Sequence, residues 1–267
     1  MYHHRPDRKL PECGCEVHGD EERSEKMMDS AVPEVPANCG IHLETRVVNL
    51  LQELSRKRLP RREKLHQDFL DVKRELGRIP TYLELHLMGR SKSIGYRNEF
   101  GSYVGFLYWA ELLSPAEGEV YVRHEAWLRD VEKTVMNKSY KMIVLLYMLE
   151  RGEAHWMDPI TPGEMARFFH MYLTEKEYRK RKDFSDKDKL ALWEWNERTA
   201  TRIEKLINDM PMSMWSGAKG SMTRFEDGVF SLNVQVKDAE EQAVLYRWTK
   251  EICLYRLHAY FERGNPS

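Results

Sequence analysis

LHQDFLDVKRELGRIPTYLELHLMGRSKSIGYRNEFGSYVGFLYWAELL, residues 65–113, holds three short helical patterns joined by two glycine-marked turns. Phe69, Val72 and Leu76, with Leu70 beside them, follow the spacing of one buried helix face. Gly77 stops that pattern, as glycine does just past a helix end. Thr81, after Pro80, is placed to cap a second helix over Tyr82–Met88, which ends at Gly89. Arg90, Lys92 and Arg97 then form an exposed basic connector. Ser102 caps the third pattern, which buries Val104, Phe106, Leu107 and Trp109.

Working outward, the chain has 267 residues, 32% of them charged, and a net charge of only -1. The average hides an uneven distribution. Residues 1–45 carry ten acidic and five basic residues, whereas residues 46–113 carry thirteen Lys and Arg against eight Asp and Glu. Just ahead of the opening stretch, Arg56, Lys57, Arg58, Arg61, Arg62 and Lys64 occupy six of nine positions, opposed only by Glu63. A local positive block of this kind suits a phosphate-bearing partner, because releasing condensed counterions drives such binding. A solvated helix face is the plainer reading of the same charges.

Residues 1–36 are polar, interrupted by four prolines and without apolar period, so a disordered tail is expected. Cys13, Cys15, His18, Cys39 and His42 could supply thiolate and imidazole to zinc, but their spacing departs from the usual Cys-x-x-Cys knuckle. No bound metal or other cofactor is expected. Leu43, Val47, Leu50, Leu51 and Leu54 make a helical stripe leading into the basic run. The four cysteines do not make a disulfide framework, no apolar run reaches 18 residues and no signal-peptide core is present. A reducing, cytoplasmic setting is expected, with no membrane partner.

After residue 113, Ser114-Pro115-Ala116-Glu117 opens a connector helix over 114–136. A C-terminal α-rich domain is expected over 137–264. Its first helix, capped by Asn137 or Ser139, is apolar all round from Met142 to Leu149 and belongs at a core centre. Thr161-Pro162-Gly163-Glu164 starts the next. Lys176, Arg179, Lys180 and Arg181 form a second basic cluster, followed by a helix expected over 187–209. Asp227-Gly228 signals a hairpin joining 222–225 to 229–236, where Phe230, Leu232, Val234 and Val236 alternate with polar residues. Leu245, Trp248, Ile252, Tyr255 and Ala259 line the core face of the last helix. The fold class is mainly α: a disordered tail, a basic helical region over 37–113, and a second helical region with one small β-hairpin near the C-terminus.

LGRIPT, the basic loop, Tyr96 and FGSYVGFL together resemble the helical repeat found beside homing endonucleases and in some bacterial helicases. The resemblance implies DNA binding. Further along, residues 137–142, ITPGEMARFFHMYL, RKRKDFSDKD and LYRWTKEICLYRLHAYFER resemble the C-terminal extension of large bacterial superfamily II helicases of the DEAD/DEAH type, and VPANCGIHLE resembles the stretch after their motor. That likeness covers about residues 35–263. The family's motor needs a G-x-x-x-x-G-K-[ST] loop and an acidic magnesium box, and this sequence has neither. ATP hydrolysis is therefore not implied, and no catalytic residue is assigned.

The expected function is nucleic-acid binding, with DNA the expected partner, as the motorless accessory region of such a helicase. Phosphate contacts are expected from Arg56, Lys57, Arg58, Arg61, Arg62, Arg90, Lys92 and Arg97, and from Lys176, Arg179, Lys180 and Arg181. One alternative is a module that docks on a motor subunit without touching DNA. Another is a metal-dependent nuclease built on Asp158 with Glu164, or on Asp183 with Lys187 and Lys189, although these carboxylates fall at helix starts and loops, where capping explains them better.

Overall fold

The computed structural model describes residues 59–185 and 187–262, together with Arg46 and Leu54. The stripe before the basic run and the cysteine-histidine constellation at Cys13, Cys15, His18, Cys39 and His42 lie outside the described residues, as do Arg56, Lys57 and Arg58. The chain divides into two units between Pro60 and Arg61. The second unit holds every element named below.

Helix α1 (Arg61–Leu76) buries Leu65, Asp68, Phe69 and Val72 along one face. It stops at Gly77, whose φ of 69° is the left-handed conformation that glycine reaches without a Cβ clash. Helix α2 (Tyr82–Met88) starts in a capping box: the Glu84 amide donates to Thr81 Oγ1, and the Thr81 amide donates to the Glu84 carboxylate at 2.8 Å. Arg78 closes on the same carboxylate at 2.8 and 2.5 Å. The Arg78 hydrogen bond, helped by the Thr81 amide, holds the Glu84 carboxyl down at about 2. The end of the basic connector is itself a helix, α3 (Ile94–Phe100), which carries Arg97, while Arg90 and Lys92 stay in the loop before it; the opening stretch thus contains four helices where its glycine punctuation suggested three. Its N-terminal position, Ser93, makes no side-chain cap, which leaves no capping signature to read.

Helix α4 (Tyr103–Trp109) is capped by Ser102 Oγ, which accepts from the Gly105 amide at 2.8 Å. Gly105 is a required glycine. A Cβ there would lie 2.3 Å from the Phe100 carbonyl and 2.9 Å from the Tyr121 hydroxyl. Helix α5 (Pro115–Lys133) begins with the expected Ser114/Glu117 box. It does more than connect: Trp127, Leu128 and Val131 are fully buried, and it packs along the last helix.

Helix α6 (Tyr140–Glu150) occupies the core as its all-round apolar surface requires. Its N-terminus is capped from outside, because the Ser139 hydroxyl and amide both donate to buried Asp183. Helix α7 (Pro162–Thr174) carries the Thr161/Glu164 box, and α8 (Glu177–Asp183) follows. The single helix expected over 187–209 is broken. A 3₁₀ stretch (Lys187–Leu192) precedes α9 (Glu197–Ile207), because Asn196 takes extended backbone and its side chain accepts from the Thr199 amide. A π turn (Asn208–Met212) around Pro211 leads into the short α10 (Ser213–Ser216).

The hairpin pairs β1 (Thr223–Glu226) with β2 (Val229–Leu232), Phe225 standing opposite Phe230. Asp227 and Gly228 both have positive φ, 50° and 76°, as a tight hairpin turn of the I′ type needs. The second strand is shorter than its alternation suggested. Its partner strand begins only at Thr223, so Val234 is buried without strand pairing. Phe230 anchors the hairpin by exchanging two backbone hydrogen bonds with Ile160 and packing on Trp215.

Helix α11 (Ala239–Glu262) ties these parts together. Its 24 residues span about 36 Å. It packs on α5, α6 and α2. Leu245, Trp248, Ile252 and Tyr255 form the expected core face. Tyr255 lies against Tyr82, with ring centres 3.8 Å apart, and Tyr82 stacks on Tyr103. The opening stretch and the C-terminal helices therefore share one core. Among the described residues no helix is long and apolar enough to cross a membrane.

Candidate nucleic-acid interface

The loop between α2 and α3 is pinned from below. The buried Asp68 carboxylate accepts from the Arg90 amide at 2.9 Å and the Ser91 amide at 2.6 Å. Those bonds use the loop's backbone donors inward and leave the side chains of Arg90 and Lys92 exposed. Ser93 fixes the loop to α11, its hydroxyl 3.0 Å from the Tyr255 hydroxyl and 2.8 Å from His86 Nδ1.

Two cavities flank this junction. One, of about 440 Å³, is bordered by Arg90, Lys92 and Ser93. The other, of about 250 Å³, is bordered by Arg97, Lys133 and Arg256. Ile94, Tyr255 and Ala259 belong to both walls, so the two cavities adjoin and are taken together as one furrow. Among the described residues no carboxylate lines either cavity.

Two of the three cations of the smaller cavity, Arg97 and Arg256, are held by the end of α5. Arg97 Nη1 donates to the Glu132 carbonyl at 2.8 Å. Arg256 donates to the Val131 and Thr134 carbonyls, both at 2.6 Å. These are carbonyls that a helix end leaves without intrahelical partners. Burial pushes the Arg256 guanidinium down to about 10, and the neighbouring Arg97 charge pushes in the same direction. The Glu132 side chain turns the other way. It is fully buried and accepts from the Tyr103 amide at 2.6 Å, with the Tyr82 hydroxyl 3.5 Å away. Burial pushes its carboxyl up to about 7, against the pull of that amide and of the two arginines.

Arg90, Lys92 and Arg97 are thus brought together on one furrow. Lys133 and Arg256 join them without having been singled out in the sequence: Lys133 reads as an ordinary basic helix end, and Arg256 is hidden inside an apolar stripe. Arg61 and Arg62 are exposed at the start of α1 but border neither cavity. Both face Glu99, Arg61 at 3.1 Å and Arg62 at 3.9 Å, and Arg62 also lies over the Phe100 ring.

The second basic cluster is occupied locally. Arg179 lies 4.1 Å from the centre of the Tyr172 ring, donates to the Tyr172 carbonyl and pairs with Glu175. Lys180 sits over Trp193, and Lys180 and Arg181 both pair with Glu177. Lys176 is exposed. None of the four borders the furrow.

The carboxylates considered for a nuclease are engaged elsewhere. Asp158 pairs with Arg151 and His155, Glu164 completes a capping box, and Asp183 is buried against Ser139 and the Tyr260 hydroxyl. Among the described residues no three His, Cys, Asp or Glu side chains are grouped to hold a metal ion. Comparison with known proteins finds no matching family model, no similar curated protein and no similar solved structure.

Proposed function

We propose that this chain binds nucleic acid, DNA first among candidates, through the furrow between the α2–α3 loop, the end of α5 and α11. The observation that carries the reading is the furrow's composition: five cationic side chains from three separate parts of the chain, and no carboxylate among the described residues of its walls. Phosphate backbones supply regularly spaced negative charge, and side chains such as these set position on it without reading sequence. The link to a bacterial DEAD/DEAH-type helicase system, in the cytoplasm, rests on the resemblance of residues 35–263. In that setting the chain is an accessory region, with the motor on another polypeptide or segment. Binding to unrelated DNA duplexes, titrated with salt, tests the reading. Similar affinities across sequences and a steep fall with salt are expected. An absence of binding at moderate salt rules it out.

A second reading, docking on a motor subunit, is favoured by a different surface. Tyr108, Val122 and Trp109, the last expected from the sequence to be buried, are 45%, 61% and 40% exposed around an open groove of about 990 Å³. Exposed Tyr and Trp beside a groove are the side chains that most often dominate protein interfaces. Retention of a motor protein that is lost on Trp109→Ala, with DNA binding absent, puts this reading ahead.

A further inference from the structure

We propose that the recess between Arg97, Lys133 and Arg256 is a discrete oxyanion site that holds one phosphoryl group, either a phosphodiester of a bound strand or free phosphate. Which of these sources fills it rests on the nucleic-acid reading above. The site itself rests on four features of the recess.

First, the two guanidiniums are fixed before any ligand arrives. Three helix-end carbonyls position them. Each guanidinium carries five N–H donors, so these bonds leave most of the donors for a ligand. Second, the two positive groups stand close enough that Arg97 depresses Arg256. Like charges held together are eased by an anion between them. The half-charge at the end of a helix is too small to cancel two full cations.

Third, the Glu132 carboxylate, one residue along α5 from Lys133, does not serve as that anion. Glu132 points into the core toward the Tyr103 amide and does not line the recess. Burial also disfavours its charged form. Fourth, the recess has room. Its volume of about 250 Å³ is several times the roughly 30 Å³ that one water occupies in the liquid. Lys133, exposed at the wall, adds a third cation. Surface lysines alone make a diffuse positive patch, whereas a pair of arginines locked by backbone carbonyls presents planar donors suited to phosphate.

The test uses the full chain, isotopically labelled, and follows the backbone amides of Thr134 and Ala259. Inorganic phosphate is titrated against chloride at equal ionic strength, and a single-stranded oligonucleotide is titrated separately. Saturable shifts with phosphate and not with chloride are expected. Lys133→Gln should weaken phosphate about threefold, and Arg256→Lys, which keeps the charge but loses the planar fork, about tenfold. Lys133→Gln leaves the helix-end bonds intact, so it decides the matter even where Arg256→Lys perturbs folding. An oligonucleotide that shifts the same amides and competes with phosphate identifies the phosphodiester as the source. Saturable phosphate binding without that competition supports the site with free phosphate as its ligand and counts against the nucleic-acid reading. Phosphate shifts no larger than those of chloride overturn the site. If the oligonucleotide then still shifts Arg90 and Lys92, the nucleic-acid reading survives without it.

Discussion

Arg90, Lys92 and Arg97 fall within eight residues, and Lys176, Arg179, Lys180 and Arg181 within six. In sequence the second cluster is the denser, yet its charges are the ones the fold absorbs. Arg179, Lys180 and Arg181 meet Glu175, Glu177 and two aromatic rings. Around the furrow, Arg97 and Arg256 meet backbone carbonyls, which hold a guanidinium in place without neutralising it. Charge density therefore says little about binding capacity until each cation's partner is known.

The comparison breaks most sharply on nucleic-acid affinity. Neutralising Arg90, Lys92, Arg97 and Lys133 to Gln should flatten the dependence of log affinity on log salt by about four units, roughly one for each phosphate no longer neutralised. Changing Lys176, Lys180 and Arg181 to Gln should leave it within about one unit. Fluorescence anisotropy between low and physiological salt distinguishes them, and equal effects would erase the distinction between the clusters.

The underside of the furrow sharpens the comparison through pH. Glu132 has its folded pKa raised from 4.5 to about 7. The folded state then binds more protons than the unfolded state across that interval, so stability falls as pH rises from about 4.5 through 7. At about 1.4 kcal/mol per unit, the full effect is about 3 kcal/mol. Glu251, pushed up to about 7 mainly by burial, adds a slope of the same sign. His170, lowered mainly by burial, opposes both below its usual pKa. Glu132→Gln should therefore match wild type near pH 4, exceed it in stability near pH 8, and retain part of the slope. Urea unfolding at the two pH values checks this. A variant no more stable at pH 8 would show that the buried carboxyl is ionised without penalty.

Smaller effects follow at single residues. Arg179→Ala should destabilise the fold by about 1–2 kcal/mol, because the cation over the Tyr172 ring and its carbonyl hydrogen bond both go. Arg90→Ala should stay within about 0.5 kcal/mol, as an exposed side chain does. Denaturation midpoints of the two variants read the difference directly. Arg61 and Arg62 already share Glu99. Changing both to Gln should weaken DNA only a few-fold, by the same anisotropy measurement.

The helices that were legible in sequence were those with local signatures. Thr81/Glu84, Ser114/Glu117 and Thr161/Glu164 announce their helix starts within four residues, and each box forms. Asp227-Gly228 did the same for the hairpin. What escaped depended on distant partners. Helix α3 carries no capping signature. The break before α9 turns on Asn196, whose side chain is only one of several polar residues in that stretch until it is seen to cap. The furrow was half legible: Arg90, Lys92 and Arg97 stand out in a basic connector, but Arg256 sits one position from a core tyrosine, and its role depends on the end of a helix more than a hundred residues earlier.

The hydrogen bond between Ser93 and Tyr255 joins positions 162 residues apart. On the ribosome, the α2–α3 loop emerges long before α11 exists to form the furrow's second wall. A nascent chain cannot assemble this surface until α11 has been synthesised and docked. Long-range closure of this kind is the slow part of folding, so the surface should mature late and as a unit. A truncation that removes α11 should abolish the furrow altogether, while leaving Arg90, Lys92 and Arg97 present in the remaining chain.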